Sequence, residues 1–471
     1  MQRRDFLKLS LAISGSLFAS KFAYADGVDL SNVVFNGEQF DQSRQTIIVF
    51  LSGGPSPLSA NLANIDELND SSQQDYFSHF GSGSLSKIEG YDLWKQAGGE
   101  SMQRMLDNKE MTIIRTCYSA ERESLGNKSH GLCTQQNMSG SYDLESAGAL
   151  TTLSRVMTNN GKFDQNALPF MALNGENDFY TGDPANGLKP VSLDYRLSNP
   201  FDRKVTSSVF YNPEERDIDG YRDTLPLIDR IFDRKAKSHN SVDVMNTFLD
   251  NREILANKIQ DVADKRNDGT NKDKNLDLYG YSSGDSFHRT LATAVELLDS
   301  NTSTRTMTIG TSGLGGWDDH SFCKSSYPRR MQNLFQALEA GMKHLEGIGK
   351  KNKVSIMVFG EFGRNVNLNA SFGWDHGNLQ NLFILGGTDY FNHVGGADAI
   401  VGETVVDNGG RAKSGRLWLK PKEGTYVCEP LSIASTIYAI HGVKNPESLT
   451  GGYGVINPKV KGQDFLKDGV A

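Results

Sequence analysis

Cysteine is scarce in this chain. Its 471 residues hold only Cys117, Cys133, Cys323 and Cys428, with no CxxC spacing, which argues against a thiolate zinc site. Four cysteines allow three pairings; Cys117 with Cys133 closes the shortest loop, and buried free thiols fit equally well. No run of 18 apolar residues follows the N-terminal region, so no integral membrane span is expected in the mature chain. Positive charge is also short: 49 Lys and Arg stand against 57 Asp and Glu, a formal net charge of −8. That balance argues against nucleic acid or anionic lipid as a partner, because both need a positive face. There is no G-x-S-x-G, so a hydrolase nucleophile elbow is not supported. No internal repeat is visible.

Residues 1–25 have the character of an export signal. Arg3 and Arg4 sit in the pattern of a twin-arginine signal, residues 9–18 are moderately apolar, and Ala23-Tyr24-Ala25 is a small-x-small cleavage site. The segment carries Arg3, Arg4, Lys8 and Lys21 against Asp5, a net of +3, so the remainder stands at −11. The expected partner at this stage is the twin-arginine export machinery, and the expected location is periplasmic or secreted. Residues 26–471 are expected to form one large domain.

Within that domain, 48 glycines fit a loop-rich α/β protein rather than a helical bundle. Buried strands are expected at residues 46–51, 111–117, 169–173, 307–309, 354–359 and 382–385, and a further strand at 416–419. Helical spacing is expected at 150–157, 291–298, 327–348 and 431–441. Residues 127–140 read as a loop. Residues 180–300 read as a largely helical insertion. Strand–helix alternation over 307–385 favours a parallel sheet.

The chemistry concentrates in two loops. One is Gly316-Trp317-Asp318-Asp319-His320, and the other is Gly373-Trp374-Asp375-His376. Each offers carboxylate and imidazole after a Gly-rich approach, and ligands of open α/β sheets gather at the carboxyl ends of strands. Carboxylates suit hard divalent ions and imidazole suits transition ions. Taken singly, such an Asp caps a turn, the His bonds backbone and the Trp packs. Together they point to a metal site. Glu361, at a predicted strand end, is a candidate ligand or general base. Arg364 would orient it or face a phosphate or sulfate. Ser56 follows the first strand in a Gly-Gly-Pro turn and is the candidate nucleophile, although a Pro-rich turn alone explains it. His130, His393 and His441 are lone histidines, of which His130 is best placed.

The twin-arginine signal, Gly53-Gly54-Pro55-Ser56 at a strand end, the Gly-Trp-Asp-x-His loop, Gly360-Glu361-Phe362-Gly363-Arg364 and Asp375-His376-Gly377 resemble the bacterial domain of unknown function 1501 family. That family is similar to the alkaline phosphatase and sulfatase superfamily. The resemblance implies an α/β fold with a doubly wound, mostly parallel sheet and ligands on strand-end loops. It implies Asp318, His320, Asp375 and His376 as ligands of a divalent metal (zinc, manganese, magnesium or calcium), with Glu361 at a strand-end ligand position. Residues 52–60 depart from the superfamily pattern, since they hold no carboxylate. The leading expectation is an exported metal-binding protein acting on a small-molecule or polymer phosphate or sulfate ester. The alternative is a catalytically degenerate binding or envelope-assembly protein with the same fold.

Overall fold

The computed structural model describes residues 30–36, 44–62, 86–160, 170–173, 178–182, 191–193, 274–300, 304–311, 313–407 and 416–470. Residues 1–25, read as an export signal, and most of the insertion expected at 180–300 lie outside the described residues.

The centre is an eight-stranded sheet. Its strands are β1 (Gln45–Leu51), β2 (Met111–Tyr118), β3 (Phe170–Leu173), β4 (Val191–Leu193), β5 (Thr306–Ile309), β6 (Val354–Gly360), β7 (Leu379–Gly386) and β8 (Ile400–Val401). They lie in the order β8-β2-β7-β6-β1-β5-β3-β4. The sheet is mixed and mostly parallel. Only β7 runs against its neighbours, β2 and β6, among the paired strands. The alternation over 307–385 favours a parallel sheet, and the expected sheet is mostly parallel. β7 departs because the chain between β6 and β7 holds a loop and a two-residue ribbon, Gly363–Arg364 with His376–Gly377, and no crossover helix to carry it back to the other edge of the sheet.

Helices cover both faces. They are α1 (Gly99–Asp107), α2 (Ala120–Ser124), α3 (His130–Ser139), α4 (Ala149–Asn159), α5 (Lys274–Tyr279), α6 (Ser286–Ser300), α7 (Cys323–Gly347) and α8 (Ser432–Ile440). The alternation of side chains along β1 creates two cores. Ile47, Val49 and Leu51 pack with Met102 and Met105 of α1, Leu291 of α6 and Leu334 of α7. Ile48 and Phe50 join Leu150 and Leu153 of α4 and Ile433 and Ile437 of α8 on the other face. Every residue of β1 is buried, which is why it reads as a continuous apolar run rather than an alternating one.

Two local readings change. Residues 130–139 are helical, not a loop. The strand expected at 416–419 is Trp418–Pro421, which pairs with Thr404–Asp407 outside the main sheet. All four cysteines are buried free thiols, and the backbone neighbour of Cys117 is Cys428. No helix among the described residues is long and apolar enough to cross a membrane.

Candidate metal centre

Strand direction brings the polar loops to one edge. β1, β5 and β6 are parallel, so their carboxyl ends lie together: Leu51 pairs with Gly360, and Val49 with Ile309. β7 runs oppositely, so its beginning lies at that edge, beside Tyr118 at the end of β2. Five segments therefore meet there: the Gly53-Gly54 turn, α3 after β2, the loop after β5, Glu361 to Arg364 after β6, and Asp375-His376 ahead of β7.

His130, Asp318, His320 and His376 place one donor atom each within 4.8 Å of one another. His320 Nε2 lies 2.8 Å from His376 Nε2 and 3.1 Å from Asp318 Oδ1. Asp318 Oδ1 is 3.2 Å from His130 Nε2 and 4.0 Å from His376 Nε2. Bonds of about 2.0–2.1 Å at tetrahedral angles set zinc ligands roughly 3.3 Å apart, and the observed separations bracket that spacing.

The outer nitrogens show which way the lone pairs point. His130 Nδ1 donates to Glu361 Oε1 at 2.5 Å, and His376 Nδ1 donates to the Lys128 carbonyl at 2.5 Å. Both acceptors lack a proton to give, so Nδ1 carries the hydrogen and Nε2 presents a lone pair inward. His320 Nε2 accepts from Arg364 Nη1 at 3.3 Å, while its Nδ1 faces Asp375 Oδ1 at 3.7 Å. His130 Nε2 is buried without a hydrogen-bond partner. Arg364 answers the His320 lone pair and the Asp318 carboxylate from one side, and the His130 and His376 lone pairs face the same space, where a cation would gather all four donors. The donor set of three imidazoles and one carboxylate fits zinc better than magnesium or calcium, which prefer oxygen throughout.

The surroundings keep these donors ready to bind. Burial pushes His376 down to about 4, with Arg364 and the neighbouring histidines adding to the effect, so the ring is neutral at neutral pH. Burial works to raise the Asp318 carboxyl, but the hydrogen bond and charge of Arg364, with help from His320 and His130, leave it below its ordinary value. The Phe362 ring packs 4.9 Å from His130 and 4.7 Å from His376, forming an apolar floor. Outward the cluster is open: the side chains of Asp318 and His320 are 50% and 44% exposed.

The other predicted residues surround it. Glu361 is buried; it receives hydrogen bonds from Gly53 N–H at 2.9 Å, from His130 and from Thr134 Oγ1, and so braces a ligand. Asp375 stands behind His320 and pairs with Arg416 at 2.9 Å. Asp319 turns away to Arg330. Ser56 is 2% exposed, and its Oγ accepts from Leu58 N–H as the cap of a short helical turn. A surface cavity of about 400 Å³, lined by Tyr279, Tyr281, His288, Glu339 and Lys343 among others, shares no residue with the cluster.

Two glycines let the loops close. A Cβ on Gly53 (φ +116°) would lie 2.4 Å from the Asp318 nitrogen, and one on Gly373 would lie 2.1 Å from the His320 carbonyl carbon. His130 is the member of the cluster that sequence reasoning left aside. Its signal was the run from Ser129 to Gly140, polar N-cap residue to C-terminal glycine, with Gly140 at φ 71°. The helix between has no clear apolar stripe, so periodicity did not reveal it.

Fold and cluster define an α/β protein with imidazoles and a carboxylate gathered at one edge of a mostly parallel sheet. The chain belongs to the family described as "Protein of unknown function (DUF1501)", which matches residues 43–410. No curated protein matches it. Among solved structures it is similar to Ps i-CgsB in complex with k-i-k-neocarrahexaose, at 10% identity and a TM-score of 0.36, covering 88% of this chain and 75% of that one. Ps i-CgsB alone gives 11% identity and a TM-score of 0.35 over the same shares. Likeness at that level carries no argument about fold or activity.

Proposed function

We propose that this chain is an exported protein that binds a divalent ion, zinc by preference, through His130, Asp318, His320 and His376, and hydrolyses a phosphate or sulfate ester there. The observation that carries the reading is the convergence of three imidazole lone pairs and one carboxylate, with the outer nitrogens of His130 and His376 held by acceptors. An ion in such a place supplies Lewis acidity to a phosphoryl or sulfuryl oxygen. The chain's own part is to hold the ligands: Glu361 fixes His130, the Lys128 carbonyl fixes His376, and Arg364 keeps Asp318 ionised. The open outer side supports turnover over a closed structural role, since catalytic zinc sites keep a position free. A mostly parallel sheet with helices on both faces and ligand loops at one edge supports an alkaline-phosphatase-like arrangement. The twin-arginine pattern at Arg3 and Arg4 supports export.

Elemental analysis of the purified mature chain tests the first step. About one equivalent of zinc is expected, lost in His376→Ala. Hydrolysis of aryl phosphate and aryl sulfate esters, lost in Asp318→Ala, tests the second. A chain that retains no ion sinks the reading. A second reading, a binding or assembly protein without turnover, is favoured by the Gly53 turn, which has no carboxylate and whose nearest hydroxyl, on Ser56, is buried as a cap. Tight ion binding without ester hydrolysis would select it.

A further inference from the structure

We infer that Arg364 is the fixed second cation of this centre, so that the site takes a single divalent ion. The inference rests on the ion-binding reading above and specifies its stoichiometry. The Arg364 side chain is fully buried. Its Nε donates to the Gly54 carbonyl at 2.7 Å, and its Nη1 to the Trp374 carbonyl at 3.2 Å. Its Nη2 donates to the Gly53 carbonyl and to Asp318 Oδ1, the latter at 2.5 Å. Each guanidinium nitrogen is therefore engaged by the protein, and the group is a positioning residue rather than a contact for substrate.

The cage around it is informative. With the Trp317 carbonyl 3.5 Å from Nη2, four backbone carbonyls and one carboxylate surround the group, oxygens of the kind a hard divalent ion selects, and His320 Nε2 at 3.3 Å from Nη1 completes the cage. They come from the turn after β1, the loop after β5 and the loop ahead of β7, the segments that also carry or abut the ligands. Asp318 Oδ1 is shared: it lies 2.5 Å from the guanidinium and 3.1 and 3.2 Å from two of the imidazoles. In a two-ion site such an oxygen would bridge the metals. Here one of the two positive partners is covalently part of the chain.

Charge balance points the same way. Asp318 is the one carboxylate of the cluster, and residues 52–60 provide none. Two divalent ions beside a buried guanidinium would set five positive charges against Asp318 and the carboxylates of Glu361 and Asp375 behind the imidazoles, the last already paired with Arg416, where repulsion is weakly screened. A single ion leaves far less.

The test is a count. Apo mature protein is titrated with Zn²⁺ by calorimetry and, in parallel, with Co²⁺ followed by electron paramagnetic resonance. One equivalent of each is expected, with the signal of a magnetically isolated Co²⁺. Two tight equivalents, both lost in His376→Ala, or spin-coupled Co²⁺, overturn the inference and leave the ion-binding reading standing. No binding of either ion sinks that reading instead. In Arg364→Ala the vacated oxygens should take a second, hard ion, read as an added equivalent of Mn²⁺, while Arg364→Lys should stay at one. A folded Arg364→Ala that binds ions as the wild type does also overturns the inference. The wild-type count decides even if that variant does not fold.

Discussion

The four residues of the cluster differ in how they are braced, and the bracing sets how each substitution should act. Glu361 holds the His130 ring by its Nδ1–H and is itself held by the Gly53 N–H and Thr134. Carboxylate partners of metal-bound histidines typically contribute 10–100-fold in metal affinity. Glu361→Gln should therefore weaken zinc binding by about that factor, measured by competition with a chelator, with the far-ultraviolet spectrum unchanged. Asp318 and Asp375 give a contrast. Asp318 supplies an oxygen to the cluster, whereas Asp375 reaches only the outer nitrogen of His320 and Arg416. Asp318→Asn should lower affinity by a larger factor than Asp375→Asn; the reverse order would mean that the Asp375 loop rearranges to ligate. From the sequence alone, the repeated Trp-Asp pattern made these two aspartates look equivalent. Burial and direction separate them, and neither is encoded in local spacing.

At the level of elements, the site depends on loops that touch backbone to backbone. Trp374 N–H donates to the Asp319 carbonyl at 2.7 Å, and Phe322 N–H to Ser371 at 3.0 Å, so the two ligand loops are joined directly. The Gly53-Gly54 turn closes against the same loops. Gly53→Ala puts a methyl 2.4 Å from the Asp318 nitrogen at a φ of +116°, which only glycine adopts readily. A cost of roughly 1–3 kcal/mol is expected, read as a lower urea midpoint, together with weaker zinc binding because Asp318 is displaced. Unchanged zinc affinity would show that the turn does not position the ligand loop. The same close approach explains why the turn can lack a carboxylate: its carbonyls and the Gly53 N–H, not its side chains, serve the site.

For the whole molecule, two buried histidines outside the cluster add to the acid response of His376. His441 is fully buried beside Thr46, and burial, reinforced by Arg305 and Arg44, pushes it down to about 3. His393 lies between Thr112 and the Gly386 carbonyl, and burial pushes it down to about 4. Unfolded histidine titrates near 6.5, so between these values the unfolded chain holds the extra protons. Stability is therefore full above about pH 6.5 and falls as the pH drops toward 4, by about 1.4 kcal/mol per pH unit for each histidine. Urea midpoints at pH 7 and pH 5, both with chelator present, should show the loss; a flat profile would place these rings in water. Zinc should act in the opposite sense. An ion bound only by the folded chain stabilises by about 2.7 kcal/mol at 100 times its dissociation constant, so chelator should lower the melting temperature at neutral pH.

The sequence by itself determined the apolar strands β1, β2, β5 and β6, the long helix α7, and the two loops that carry Asp318, His320 and His376. These are local properties: continuous burial, helical period, and glycine beside polar residues. Three things were decided only by tertiary structure. β7 reverses because its connection from β6 holds no crossover helix and returns from the same edge. His130 joins the centre because α3 begins at that edge, although more than 180 residues separate it from Asp318. The backbone of the turn after β1 serves the centre, its carbonyls holding Arg364 from the loop after β6 and the Gly53 N–H holding Glu361. Each depends on which strand ends become neighbours, and that follows from the order of strands in the sheet rather than from any one stretch of chain.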